Sequence, residues 1–258
     1  MILNAITHGN DKPPLIILHG LFGSARNWQG IARLLAADYT VHALDLRNHG
    51  GSPHADEMTY ELMAADVLEF MNQANIENTV LLGHSMGGKV AMELALSSPN
   101  KISRLIVVDI APVEYQHNFD DVLVGLYHIP LDQVNSRKDA DEYLAQKINS
   151  LSLRQFLLQN LVTNSEGGYQ WKVNLASIEQ NMPKIMGFPV QQETREFKAP
   201  SLFINGAKST YLTSRYQPLV NELFLKVIFN TIADAGHWPH IEAPQPFMDA
   251  LSNFLEPA

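Results

Sequence analysis

Short, uninterrupted apolar runs alternate along this chain with stretches in which apolar residues recur every three or four positions. The runs lie at 15–18, 40–44, 79–82, 105–108, 201–204 and 227–232. Runs of that length predict strands buried on both faces, as in a parallel sheet covered by helices. Residues 60–72 carry Leu62, Ala65, Leu68 and Met71 at helical spacing and predict an amphipathic helix. Helices are also predicted over 89–97, where Pro99 ends the pattern, and over 247–255. Alternation of the two patterns predicts an α/β fold, a mostly parallel central sheet flanked by helices.

The rhythm changes between residues 111 and 198. Helical patterns at 120–127, 140–148 and 153–162 occupy that stretch, interrupted by Gly167, Gly168, Pro183 and Pro189, and no buried strand is predicted in it. The expected organisation is therefore a core built from 1–110 and 199–258, with a helical cap at 111–198 inserted between two strands of the sheet.

Composition narrows the function classes. The chain has 258 residues, enough to bury a large core, and a formal net charge of −9 with no run of basic residues, which disfavours nucleic acid as a partner. It has no cysteine, which excludes disulfides, thiolate metal sites and a cysteine nucleophile. No His or carboxylate pair has the spacing of a metal site, and no cofactor is expected. No apolar run is long enough to span a membrane, and the first residues lack a basic segment followed by a long apolar one. A cytoplasmic location is expected on those grounds.

The chemistry concentrates at Gly83-His84-Ser85-Met86-Gly87. A serine lifted above a sheet needs a sharp strand-to-helix bend, which crowds the positions two before and two after it and calls for glycine at both. The pattern alone arises by chance in roughly one chain of this length in ten. Here a predicted strand precedes it and a predicted helix follows. A rival overlaps it: Gly83 to Lys89 also spells Gly-x-x-x-x-Gly-Lys, the start of a phosphate-cradling loop. Val90 stands where that loop needs a Ser or Thr for magnesium.

A serine hydroxyl needs a base, and His237 is the best placed of the ten histidines. It follows the last predicted strand, in the order serine, acid, histidine that accompanies such a bend. His19 and His49 sit in tight turns and are expected to fix backbone. Most proteins built this way place the acid after the strand beginning near Ser201. That turn, Asn205-Gly-Ala-Lys-Ser-Thr-Tyr, holds no carboxylate. Asp109, ending the strand expected beside the serine's, is the candidate acid, with Asp234 and Glu242 as fallbacks. The oxyanion hole needs two backbone N–H groups. Met86 is expected to give one and Leu21 the other, with Phe22 as the alternative to Leu21.

Taken together, His19-Gly-Leu-Phe-Gly-Ser, Asp45-Leu-Arg-Asn-His-Gly, Gly83-His-Ser-Met-Gly-Gly-Lys, Asp109-Ile-Ala-Pro and Ala235-Gly-His-Trp resemble the small bacterial esterases of the YbfF type, in the α/β-hydrolase superfamily. The likeness spans nearly the whole chain and is weakest over 111–198. It implies an α/β-hydrolase fold and a serine esterase acting on acyl esters, with acyl-CoA thioesters as a further substrate class. It also implies a helical cap over the site, an acid after the strand that follows the nucleophile, and a structural role for Asp45. The expected partner is thus a small-molecule ester or thioester of an apolar acyl group. Candidate substrate contacts are Phe22, Phe119, Leu123, Leu126, Tyr127, Phe156 and Trp238. A lyase or perhydrolase on the same scaffold is the alternative that fold and triad do not separate.

Overall fold

Strand order β1-β3-β2-β4-β5-β8-β9 defines the main sheet of the computed structural model, which describes residues 1–116, 119–189 and 195–256. The strands are β1 (Ala5–His8), β2 (Pro14–Leu18), β3 (Thr40–Leu44), β4 (Thr79–His84), β5 (Ile102–Val108), β8 (Phe197–Gly206) and β9 (Phe224–Ile232). Only β1 runs antiparallel, against β3; the other pairings are parallel. The sheet is thus the mostly parallel one that the apolar runs predict.

Alternation along each strand sends successive side chains to opposite faces. Leu15 and Ile17 join one apolar cluster with Trp28, Ala32, Phe247 and Leu251. Ile16 and Leu18 join the other with Met63, Val67, Met71 and Val90. Each fully buried Leu or Ile contributes about 1.5–3 kcal/mol of burial free energy. Two-sided demand explains why these strands contain no polar alternation.

Helices α1 (Gln29–Leu35), α2 (Tyr60–Gln73) and α3 (Met86–Ser97) belong to the first half of the chain. Thr59 caps α2, its side chain accepting from the Leu62 N–H. Between β5 and β8 the chain forms α4 (Asp120–Tyr127), α5 (Arg137–Ala145), α6 (Leu151–Leu157), the hairpin β6 (Leu161–Thr163) and β7 (Tyr169–Trp171), and α7 (Leu175–Met186). Ser136, Ser150 and Asn174 cap α5, α6 and α7. Helices α8 (Gln217–Leu223), α9 (Pro239–Glu242) and α10 (Pro244–Leu255) complete the fold. No helix among the described residues is long and apolar enough to cross a membrane.

Two expectations for the inserted segment need correction. The helix predicted over 153–162 ends at Leu157, and the chain turns through a short 3-10 segment into β6. The hairpin that follows is not a buried strand pair: its strands are three residues each and mostly half-buried or exposed, too short to show alternation. Pro183 does not end a helix but lies within α7, four residues before the Gly187 cap whose N–H bonds to the Pro183 carbonyl. Only one helical bond is lost there, close to where the helix stops.

Candidate functional site

The bend between β4 and α3 places Ser85 at φ 52°, ψ −120°, a conformation that a non-glycine residue adopts only when its surroundings enforce it. Those surroundings are glycines. A Cβ on Gly83 would sit 2.1 Å from the Gly87 carbonyl oxygen, and one on Gly87 would sit 2.5 Å from the carbonyl oxygens of Leu18 and His19. Backbone, not flexible side chain, fills both spaces. Gly87→Ala is accordingly expected to cost about 1–3 kcal/mol through overpacking. Urea denaturation checks this, and an unchanged midpoint would show that the bend has slack.

Hydrogen bonds join three residues across the sheet. The Ser85 Oγ lies 3.1 Å from the His237 Nε2, and the His237 Nδ1 lies 2.7 Å from the Asp109 Oδ2. Asp109 follows β5, the strand beside β4, and is fully buried at φ 53°. Its carboxylate is held from a third strand. The Ser209 hydroxyl donates to Oδ2 at 2.5 Å, and the Gly206 N–H reaches Oδ1 at 3.4 Å. Both belong to the end of β8 and the turn after it, where the common arrangement would place the acid. That turn supplies donors to a carboxylate from the neighbouring strand instead. Tyr211 from the same turn stacks on His237 with centroids 4.2 Å apart. Burial, and then the Asp109 charge, push its phenol up to about 12, so it stays neutral.

The fallback acids sit elsewhere. Asp234 is exposed and pairs with Lys208. Glu242 accepts from the N–H groups of Gly236 and Trp238, bracing the His237 loop from either side.

A buried histidine frame holds the loop opposite Ser85. The Nε2 of His19 accepts from the Leu46 N–H, and its Nδ1 donates to the Gly20 carbonyl. The Nε2 of His49 accepts from the Phe22 N–H at 3.1 Å, and its Nδ1 donates to the Arg47 carbonyl. Each ring must be neutral to do both. Burial lowers both pKa values, that of His49 to about 3. The Phe22 N–H is thereby committed away from the site. Met86 opens α3, so its N–H lacks an intrahelical acceptor. Asp45 braces the adjoining turn by accepting from Asn4, Ala25 and Gly51. Asn160 of the inserted segment donates to the Phe22 carbonyl, tying that segment to the loop.

Two cavities flank Ser85. The larger is lined by His237, Trp238, Phe22, Val122, Leu153 and Phe156, among others. The smaller is lined by Met86, Tyr60, Lys89, Tyr115, Ile185 and Met186, among others. Leu21 and Phe119 border both. Of the candidate substrate contacts, Phe22, Phe119, Phe156 and Trp238 reach this space. Leu123, Leu126 and Tyr127 do not, which corrects the expectation for them. Leu123 and Leu126 are buried in the packing of the inserted segment, and Tyr127 projects to the surface, its hydroxyl bonding to Glu179. On α4 it is Val122, three residues after Phe119, that shares the cavity-facing side.

Lys89, the residue that made the glycine-rich run look like a phosphate loop, is buried. Its ammonium donates to the carbonyls of Val113, Met186 and Gly187. It ties α3 to both ends of the inserted segment and does not face a phosphate cradle. Ser209, Tyr211, Asn160 and the three-carbonyl clamp on Lys89 were missed in the sequence. Each lies far along the chain from its partner, and only the Ser209 turn, conspicuous for its missing carboxylate, offered a signal.

A family model described as alpha/beta hydrolase fold matches residues 13–244. The chain is 42% identical over 254 residues to an sn-1-specific diacylglycerol lipase ABHD11 of Xenopus laevis, covering 95% of this chain and 80% of that protein. It is 32% identical to Esterase YbfF of Escherichia coli, covering 95% of this chain and 94% of that one. Among solved structures, a marine microorganism esterase superposes with a TM-score of 0.95 at 39% identity, covering 98% of this chain and 99% of that chain.

Proposed function

This chain belongs to the α/β-hydrolase family, and we propose that it works there as a serine-dependent carboxylic ester hydrolase with Ser85 as nucleophile, His237 as base and Asp109 as the acid that orients it. The observation that carries most weight is the unbroken Ser85–His237–Asp109 hydrogen-bond chain, 3.1 and 2.7 Å. His237 takes the Ser85 proton as Oγ attacks the ester carbonyl, and the imidazolium formed is stabilised by the buried carboxylate. The N–H groups of Met86 and Leu21 receive the developing oxyanion; Leu21 is favoured over Phe22 because the Phe22 N–H is bonded to His49. His237 then protonates the departing alcohol, leaving an acyl-Ser85 that water resolves by the same steps reversed. Residues 111–198 act as a cap over the core formed by 1–110 and 199–258.

Apolar acyl groups fit the apolar lining of both cavities. Simple esters fit better than CoA thioesters. A further surface cavity continues from the larger one, sharing Asn27, Phe156, Trp238 and His240 with it. Glu242 lines that cavity, while no lysine or arginine does among the described residues, so a polyphosphate cofactor tail meets no complementary charge there.

Labelling with a fluorophosphonate probe tests the assignment. The wild-type protein is expected to react and Ser85→Ala to show no labelling. Equal labelling of Ser85→Ala, or no turnover of any simple ester by the wild type, refutes it.

A further inference from the structure

The two cavities on either side of Ser85 are not equivalent, and the chemistry of ester cleavage tells them apart. The carbon attacked by Oγ carries three further groups: the oxyanion, the acyl chain and the leaving oxygen. When the carbon–oxygen bond to the alcohol breaks, the proton held on His237 passes to that oxygen. The leaving group must therefore lie on the His237 side, and the acyl chain on the other. His237 lines the larger cavity and does not line the smaller one, whereas Met86, the oxyanion donor, lines the smaller one alone.

Resting on the serine-esterase reading above, we infer that the smaller cavity, between Met86 and Lys89, holds the acyl chain, and that the larger one, running past Phe156 and Trp238 to the surface, holds the alcohol. The enzyme therefore selects esters of short apolar acids and is permissive in the alcohol.

The groups that line the smaller cavity have their polar atoms already engaged. Lys89 donates to three backbone carbonyls, and its ammonium lies 4.8 Å from the Tyr115 ring centroid and 5.6 Å from that of Tyr60. The Tyr60 hydroxyl donates to the Ile185 carbonyl, and the Tyr115 hydroxyl donates to the Tyr211 carbonyl while accepting from the Ala111 N–H. A carboxylate at the far end of an acyl chain finds these donors taken, while methylene and ring surface is what the wall offers. The same bonds stiffen the wall. Lengthening the cavity requires moving the end of α7, which Lys89 and Tyr60 hold through the carbonyls of Ile185, Met186 and Gly187. On the alcohol side Asn27, Phe156, Trp238 and His240 continue into the surface cavity.

Acyl and alcohol preferences are measured separately. One series holds the leaving group fixed as p-nitrophenol and varies the acyl chain from acetyl to decanoyl. The other holds the acyl group as acetyl and varies the alcohol. Met186→Ala is expected to raise kcat/KM for octanoyl relative to acetyl esters about tenfold, while relative rates across alcohols change less than about twofold. Phe156→Ala is expected to do the reverse. Ile185→Val, a milder cut in the same wall, shifts the acyl ratio in the same direction as Met186→Ala and guards against misfolding. If Met186→Ala and Ile185→Val leave the acyl ratio unchanged, or Phe156→Ala moves it instead, the assignment of cavities is overturned while fluorophosphonate labelling of Ser85 still stands. Loss of labelling in the wild type removes the esterase reading and this inference together.

Discussion

Asp109→Asn is expected to lower kcat on a p-nitrophenyl ester by roughly 10³–10⁴ while leaving KM nearly unchanged. The substitution keeps the shape and changes the direction of one hydrogen bond. In the native protein Asp109 Oδ2 faces the His237 Nδ1 at 2.7 Å and can only accept, so the proton resides on Nδ1 and Nε2 is free to receive the Ser85 proton. The Ser209 hydroxyl donates to the same Oδ2 at 2.5 Å and the Gly206 N–H reaches Oδ1. An asparagine must turn its NH₂ either against the Gly206 N–H or toward His237 and the Ser209 hydroxyl. With its NH₂ toward His237, the ring flips to the tautomer bearing hydrogen on Nε2, which cannot act as a base. The introduced amide is neutral as well, so the imidazolium of the transition state loses its buried counter-charge.

Ser209→Ala provides the contrast. It removes one donor to the carboxylate but leaves the charge and the His237 contact, so the expected loss is roughly tenfold, on the scale of one hydrogen bond to a charged group. A kcat for Asp109→Asn within about tenfold of wild type, in a protein that still unfolds at the wild-type midpoint, would mean that another carboxylate orients His237. Asp234 and Glu242 are poor substitutes. The first is exposed beside Lys208, and the second is engaged with the Gly236 and Trp238 amides.

Elements buried on both sides announced themselves in the sequence. Leu15, Ile17 and their neighbours in β2 had to be apolar at every position, as did the runs in β4 and β5, and a continuous run is hard to mistake. Strand β1 lies at the sheet edge with the sequence Ala-Ile-Thr-His and half-buried side chains, so nothing forced a pattern on it. The hairpin of β6 and β7 is too short for alternation, and the helical spacing of 153–157 ran on into it. Within the site, Ser85 was legible because steric crowding restricts its neighbours to glycine, a local constraint. Asp109 was legible by elimination. Ser209 and Asn160 were not, because a donor's partner depends on how the chain folds back across a hundred residues or more. The cavity-facing side of α4 was misjudged for a similar reason. Helical spacing marks an apolar face without saying which turn of it meets the site, and Leu126 packs within the segment between β5 and β8 where Val122 meets the cavity.

Acid should unfold this protein early and steeply, because its interior holds several histidines that cannot be charged. His49 and His240 are held down to about 3, by burial first and then by neighbouring imidazoles: His19 for His49, His237 for His240. Burial lowers His19 as well, and it drives His84 well below the ordinary value, helped by His237 and His240. In the unfolded chain each titrates near 6.5. Between that value and about 3 the unfolded state binds protons that the native state refuses, so stability is intact above pH 6.5 and falls as the pH drops below it. Each such group contributes a slope of about 1.4 kcal/mol per pH unit, so the two held to about 3 give about 3 kcal/mol per unit, and His84 and His19 act in the same direction. At that slope a domain with a total stability of about 5 kcal/mol is exhausted within roughly two units. Asp45 acts in the same direction. Although burial opposes it, its bonds from the Gly51 and Ala25 N–H groups and from the Asn4 amide hold its carboxyl below the usual range. The urea midpoint is therefore expected to be flat from about pH 7 to 8 and to fall steeply between about pH 6 and 4, with uptake of about two protons or more per molecule unfolded near pH 5. His240→Phe, which preserves the stack on Trp28, is expected to reduce that uptake by about one proton. A midpoint unchanged from about pH 8 to 5 would contradict the argument. The consequence for catalysis follows from where these rings sit: His19 and His49 frame the oxyanion loop, and His84 donates to the His237 carbonyl. Their protonation dismantles the site along with the fold, so activity lost below about pH 5 should track the loss of near-UV ellipticity.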